Sequence, residues 1–314
     1  MSEPLAFLNG QFVPDSQAVV PVSDLGLVQG ATVTETIRTF NGEPFRLEAH
    51  LERLQHSLQA VGFPTSLTPQ KCRSIVLRLI EHNYPLLPQG HDLGIVVFVT
   101  AGKNLTYLGA AAAAEARTPT TCVHTFPLPF ELWADKLEQG QHLVTPARRH
   151  ISPETLDPRI KHRSRLHWYL ADQEVRAIAP EASALLLDQQ GFVTETSTAN
   201  FFIVRDREIL APSSLSALEG VSQQVVFELA ERLNFICRFA PLRPYDVANA
   251  DEAFTSSTPY CLLPVTRFNG KPIGSGRPGE VFKSLLAEWS KLVGLDIAEQ
   301  IRRVAAERTA DSRF

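Results

Sequence analysis

The sequence predicts a mixed α/β (α+β) protein with two domains. The chain has 314 residues, and domains usually have roughly 100 to 200 residues, so two separate cores are expected. Short β-like runs alternate with amphipathic helical segments. A passage that contains Pro127 and Pro129 favours stiff, extended backbone. We therefore predict a first domain at 1–126, a linker at 127–136 and a second domain at 137–314.

The first domain begins with β-hairpins. The pairs Asn9-Gly10 and Asn41-Gly42 stand between alternating apolar runs, which is a strong hairpin signal. In the strand predicted at 33–39, Thr34, Thr36 and Arg38 share one face. We expect this polar face to line a wet cleft.

Helices and one further strand complete the first domain. A leucine stripe over 47–58 predicts a helix that stops at Gly62, and His50 and Arg53 lie three residues apart beside that stripe. A second helix is predicted at about 69–83, before the strand in LGIVVFVTAG. The run GAAAAAEARTP is low in complexity and is predicted to be a loop or frayed turn.

The second domain is predicted to mix strands with long helices. Its predicted strands are 141–149, 183–188, 192–196 and 200–205, and its predicted helices are about 163–179, 221–234, 278–294 and 296–309.

Composition excludes several classes of function. A net charge of −4 gives no broad attraction to nucleic acid or acidic membranes. The 4 cysteines show neither a C-x-x-C pair nor a histidine at metal spacing, so no metal site or disulfide framework is indicated. The first residues lack a basic region followed by an apolar run, and no stretch approaches 18 apolar residues. We expect a cytoplasmic protein.

Lys161 and Glu195 are the candidate chemical centre. Lys161 lies where an extended segment gives way to an amphipathic helix, and Glu195 lies on a predicted buried strand. An amine and a carboxylate reaching into one cleft suit nucleophilic catalysis. Taken alone, each is more often a solvated surface charge, so the neighbouring residues decide the interpretation.

Those neighbours carry a resemblance to a known family. The pattern I-K, then a helix, then ALLLD-x-x-G-x-V-T-E-x-x-x-A-N-F-F resembles the lysine and glutamate segments of the class IV aminotransferases, the fold-type IV pyridoxal phosphate enzymes. HLERLQHS resembles the family's H-x-x-R-L-x-x-S, LEGVSQQ its L-x-G-I-T-R helix start, and ADEAFTSSTPYCLLPV its A-D-E-x-F-x-x-x-T-x-x-x-x-P-V. With TETIR, these segments recur in family order over most of the chain. The resemblance implies a small N-terminal α+β domain, a larger barrel-like C-terminal domain, and a homodimer with shared clefts.

The resemblance also implies roles for individual residues. Lys161 would bind pyridoxal 5'-phosphate through its amine and then act as general acid and base, and Glu195 would face the ring nitrogen. A helix N-terminus and hydroxyl groups suit a phosphate, although a serine such as Ser222, taken alone, is more often simply a helix cap. The implied phosphate ligands are Arg53, Val221, Ser222, Ser257 and Thr258.

The implied activity is exchange of an amino group between an amino acid and a 2-keto acid, but the substrate stays open. Gln29 and Thr34 replace two aromatic residues of the usual apolar pocket, and Leu166 stands where branched-chain enzymes carry tyrosine. KHRSRL is similar to the lysine segments of the aminodeoxychorismate lyases and the D-amino-acid aminotransferases. Lyase action that releases pyruvate and p-aminobenzoate is therefore the alternative. The candidate substrate ligands are Thr34, Arg38, Lys103 and Arg165.

A glycine loop supports one rival from another class. Gly274, Gly276 and Gly279 form G-x-G-x-x-G before a predicted helix, as in nicotinamide-dependent oxidoreductases. Only 35 residues follow Gly279, and Pro278 interrupts the motif. That remainder is too short for the βαβ units such a site needs.

Overall fold

The computed structural model describes residues 3–108, 118–213 and 215–311. It divides into two compact units: unit 1 is Met1–Leu128 with Ile160–Arg165, and unit 2 is Pro129–Arg159 with Leu166–Phe314. Both units mix helices with strands, which confirms the predicted α/β class. Among the described residues, no helix is long and apolar enough to cross a membrane.

Unit 1 contains one antiparallel sheet with the strand order β2-β1-β6-β5-β3-β4. Its strands are β1 (Leu5–Leu8), β2 (Gln11–Pro14), β3 (Thr32–Phe40), β4 (Glu43–Pro44), β5 (Leu93–Thr100) and β6 (Thr121–Pro127). Its helices are α1 (Leu25–Val28), α2 (Leu47–Val61), α3 (Pro69–Asn83) and α4 (Leu105–Leu108).

The predicted hairpins and first helices of unit 1 are confirmed. Asn9 and Gly10 join β1 to β2 with φ of 50° and 95°, the left-handed backbone that a two-residue hairpin loop requires. The leucine stripe of α2 is buried in a core that also includes Val33 and Ile37 of β3. Most of the run predicted as a loop, residues 109–117, lies outside the described residues.

Unit 2 contains a mixed sheet of nine strands, ordered β12-β11-β10-β13-β14-β7-β8-β9, with β15 paired to β14. Its strands are β7 (Gln141–Val144), β8 (Ser183–Leu187), β9 (Val193–Thr196), β10 (Asn200–Arg205), β11 (Glu208–Ala211), β12 (Cys237–Phe239), β13 (Glu252–Ser257), β14 (Cys261–Phe268) and β15 (Lys271–Pro272). Its helices are α5 (Ala134–Gln139), α6 (Leu166–Arg176), α7 (Val221–Arg232), α8 (Pro244–Ala248), α9 (Glu280–Val293) and α10 (Ile297–Asp311).

Several boundaries differ from the sequence predictions for physical reasons. The strand predicted at 141–149 ends at Val144, because Pro146 has no N–H to give to a neighbouring strand. The helix predicted from 163 begins at Leu166, since the residues before it pair with β3 instead. Within the predicted linker, Phe130–Leu132 forms a 3-10 helix.

Candidate active site

The backbone around Lys161 is fixed by β3 and α2 of unit 1. The N–H of Thr34 donates to the Lys161 carbonyl at 2.9 Å, and the N–H of Arg163 donates to the Thr32 carbonyl at 3.0 Å. The N–H of Lys161 donates to the Ser57 hydroxyl of α2 at 3.2 Å. These bonds explain why this segment belongs to unit 1, whereas the sequence prediction put it in the second domain.

A buried ion cluster lies on the same two elements. Glu35 of β3 is 0% exposed, and its carboxylate accepts hydrogen bonds from Arg53 Nε at 2.6 Å and from Arg53 Nη2 at 2.7 Å. His50 Nδ1 lies 2.9 Å from the same carboxylate. Burial alone would raise the pKa of Glu35, but the charge and hydrogen bonds of Arg53 and His50 lower it to about 2. Glu35 is therefore a carboxylate at neutral pH.

His50 connects this cluster electrostatically to Lys161. Burial lowers the pKa of His50; the bond to Glu35 opposes that shift, while the positive charges of Arg53 and Lys161 add to it. A neutral His50 donates its Nδ1 hydrogen to Glu35. The surroundings of Lys161 thus include the Glu35, His50 and Arg53 cluster. The H-x-x-R spacing in the sequence pointed to this group, but its partner Glu35 was missed.

In unit 2, Glu195 lies on β9 with its side chain 14% exposed. Its Oε1 is 3.8 Å from His150 Nε2, and its Oε2 is 3.5 Å from Asn200 Nδ2. The His150 ring is held in turn by the Ile151 carbonyl, 3.0 Å from Nδ1, and by edge contact with Trp168 at 5.1 Å. Glu195 therefore has a polar neighbour at each carboxylate oxygen, which restricts the orientation of its side chain.

Four of the five residues predicted to bind phosphate lie in unit 2, at the start of α7 and at or just after the end of β13, and the fifth, Arg53, lies on α2 of unit 1. Within the described part of the chain, no side chain caps the N-terminus of α7 at Gly220, so Ser222 is not acting as a helix cap. Among the same residues, the buried Ser256 hydroxyl has no hydrogen-bond partner. An anion would satisfy both the helix N–H groups and that hydroxyl. These residues therefore fit a phosphate. Ser257 donates to the Thr198 carbonyl at 2.7 Å, and Thr258 is half-buried beside it.

Two of the candidate substrate ligands are engaged within unit 1. Thr34 donates to the Val97 carbonyl at 2.9 Å. Arg38 is 1% exposed, with its guanidinium 3.9 Å from Asp92 and 3.8 Å above the Phe40 ring. Thr34 and Arg38 thus have partners within unit 1. On the polar face of β3 these two residues are buried and Thr36 is half-buried, where a wet cleft was expected.

Lys103 and Arg165, the other two candidates, are half-buried. Thr34, Arg38, Lys103 and Arg165 stay proposed substrate contacts.

The late glycine loop has a structural explanation. A Cβ on Gly279 would lie 1.9 Å from the Glu252 carboxylate carbon, and one on Gly274 would lie 2.0 Å from the Asp251 carbonyl. The Glu252 carboxylate also accepts hydrogen bonds from the Val281 and Phe282 N–H groups, both at 3.0 Å. A carboxylate at the start of α9 leaves no anion site for a dinucleotide.

Comparison with known proteins decides the family. The sequence model of the family described as amino-transferase class IV matches residues 32–268. The chain belongs to the class IV aminotransferases. It is 31% identical over 291 residues to branched-chain-amino-acid aminotransferase-like protein 2 of Arabidopsis thaliana, with 92% of this chain and 50% of that protein covered. The chain thus spans about half the length of that relative.

Relatives that are named for different amino acids are similar to this chain over most of its length. D-alanine aminotransferase of Bacillus licheniformis is 30% identical over 298 residues, which cover 91% of this chain and 98% of that protein. The solved branched-chain amino acid aminotransferase of Escherichia coli has a TM-score of 0.80 at 26% identity, over 94% of this chain and 95% of that one. That similarity establishes the fold.

Proposed function

We propose that this protein is a pyridoxal phosphate-dependent aminotransferase that exchanges an amino group between an amino acid and a 2-keto acid. The observation that carries the proposal is Lys161, which hydrogen bonds fix to β3 and α2 beside a buried cluster of ionic groups. Family membership supports it, since members of this class are named for amino transfer.

Each proposed residue has a distinct task. Bound pyridoxal phosphate supplies an aldehyde that reacts with amines and a ring that withdraws electrons from the substrate Cα. Lys161 would hold that aldehyde carbon through its Nζ. Once the amino donor has displaced it, the free Nζ would act as general base at the substrate Cα and as general acid at the cofactor's C4′, moving the proton from one carbon to the other. Glu195 holds the proton at the ring nitrogen.

The proposed phosphate ligands offer two kinds of group. The hydroxyl groups and helix N–H groups of unit 2 would donate to phosphate oxygens, and the guanidinium of Arg53 is a fixed charge of the kind that suits phosphate. Since Glu35 already holds two nitrogens of Arg53, that arginine is pre-organised rather than mobile. The proposed phosphate ligands are Arg53, Val221, Ser222, Ser257 and Thr258.

The test is a titration followed by single-turnover assays. Addition of pyridoxal phosphate is expected to give an absorption band near ~400 nm, and one donor from a panel of L- and D-amino acids should bleach it while its keto acid appears. A protein that gives no band, or a band that no donor bleaches, contradicts the proposal.

Two finer statements are part of the proposal. The donor is either a branched-chain L-amino acid or D-alanine, because both classes of aminotransferase appear among the relatives. The lyase alternative is not favoured by these relatives.

The protein is also proposed to be a cytoplasmic homodimer. Light scattering coupled to size-exclusion chromatography is expected to give twice the 34.8 kDa chain mass.

A further inference from the structure

Asn200 contacts every segment of unit 2 to which the proposed function assigns a cofactor role. It is the first residue of β10 and is 6% exposed. Its Nδ2 donates to the Leu218 carbonyl at 2.7 Å and lies 3.5 Å from Glu195 Oε2. Its backbone lies opposite Ser256 of β13. The side-chain amide of Asn200 thus contacts Glu195 and the loop before α7, and its backbone pairs with β13.

Gly220 shows how closely that loop approaches Asn200. The glycine has φ −73° and ψ 136°, a conformation that any residue adopts. A Cβ at this position would nevertheless lie 2.0 Å from Asn200 Oδ1, far inside any nonbonded contact. The glycine is therefore required by contact with Asn200 and not by its backbone conformation.

We propose that Asn200 is a positioning residue that fixes the Glu195 carboxylate relative to the N-terminus of α7. The planar amide donates from one nitrogen to two acceptors at a fixed angle. Asn200 thereby holds Glu195 and the N-terminus of α7 at a fixed separation before the cofactor binds. Less conformational entropy is then lost on binding. This inference rests on the proposed function, because it requires Glu195 and α7 to bind the cofactor.

Gly220→Ala tests the inference without removing a hydrogen-bonding group or a charge. The added methyl pushes Asn200 away from its acceptors. Affinity for pyridoxal phosphate, titrated through the band near ~400 nm, is expected to fall about tenfold or more. Affinity for pyridoxal, which has no phosphate to place at α7, is expected to fall less.

A double variant separates direct coupling from two independent defects. Asn200→Ala alone should also weaken binding of pyridoxal phosphate, but it leaves room for a methyl at position 220. Adding Gly220→Ala to Asn200→Ala is therefore expected to change the affinity by less than about twofold, although the same substitution is costly in the wild-type background. If the two substitutions acted independently, their fold-changes in affinity for pyridoxal phosphate would multiply in the double variant.

Gly279→Ala is the matched control. Gly279 also precedes a helix of unit 2 in an ordinary conformation, with φ −86°, and its methyl would clash with the Glu252 side chain. It should lower the melting temperature yet leave cofactor affinity unchanged.

The inference fails if Gly220→Ala binds cofactor as wild type does, if the effects of Gly220→Ala and Asn200→Ala multiply, or if Gly279→Ala weakens binding equally. A wild type with no cofactor band overturns the proposed function together with this inference.

Discussion

At the scale of single residues, the buried carboxylate of Glu35 is the clearest stabilising group near Lys161. It is fully enclosed and holds Arg53 through two hydrogen bonds and His50 through one. Removing one charged group from a buried ionic cluster leaves the opposite charge buried without a partner. The free energy lost in this way is larger than the stability that the intact pair adds relative to a well-packed apolar substitute.

Glu35→Gln is therefore expected to lower the free energy of unfolding by about 3 kcal/mol or more. Urea denaturation followed by circular dichroism measures it. The matched control is Glu48→Gln, since Glu48 pairs with Arg73 at 2.9 Å while both side chains are more than half exposed. That control should cost at most about 1 kcal/mol, and equal losses in the two variants would contradict the role given to Glu35.

Glu35 also predicts how stability depends on acid. Its pKa falls from 4.5 to about 2 on folding, so the unfolded chain takes up this proton more readily than the folded protein. The ionised Glu35 therefore adds to the free energy of unfolding. This contribution is fully present above pH 4.5 and is lost as the pH falls towards 2, a loss of about 3 kcal/mol. Denaturation curves at pH 5 and pH 3 should therefore differ more for the wild type than for Glu35→Gln; parallel changes would refute the assignment.

At the scale of elements, the segment Ile160–Arg165 is positioned by β3 and by one hydroxyl of α2. The Ser57 side chain is buried and accepts the Lys161 N–H. We expect the position of the Lys161 amine to depend on this bond, because it ties the Lys161 backbone directly to α2.

Ser57→Ala should leave the cofactor band in place and lower kcat about threefold to tenfold, since a catalytic group tolerates little displacement. Stopped-flow bleaching of the band with the best donor measures this rate. Ser74→Ala, which removes an exposed hydroxyl that donates to the Gln70 carbonyl of α3, is the control. A rate in Ser57→Ala equal to that of the control would show that α2 does not position the amine.

Local patterns were enough to predict the elements whose signals lie within one segment. The Asn-Gly hairpins and the leucine stripe of α2 are confirmed because turn chemistry and helical periodicity are properties of neighbouring residues. Strand β14 was not predicted. Pro264, a residue type that is uncommon in central strands, lies within it, and the strand pairs with β13 on one side and β7 on the other.

At the scale of the whole molecule, family resemblance predicted more than residue patterns did. Four motifs in family order were sufficient to indicate the class IV family and its mixed α/β fold. The residues around the candidate chemical groups could not be found in this way. Glu35 meets Arg53 only because β3 packs against α2, and Asn200 meets Gly220 only because β10 lies beside the loop before α7. Such contacts join distant parts of the chain.

Lys161 is proposed to be the amine that binds the cofactor covalently. Borohydride reduction of the holoenzyme, followed by proteolysis and mass spectrometry, tests it directly. We expect the pyridoxyl group on the peptide that contains Lys161, and we expect it to be absent from the Lys161→Ala protein. A pyridoxyl group on Lys103 or on any other lysine, or on none, would contradict it.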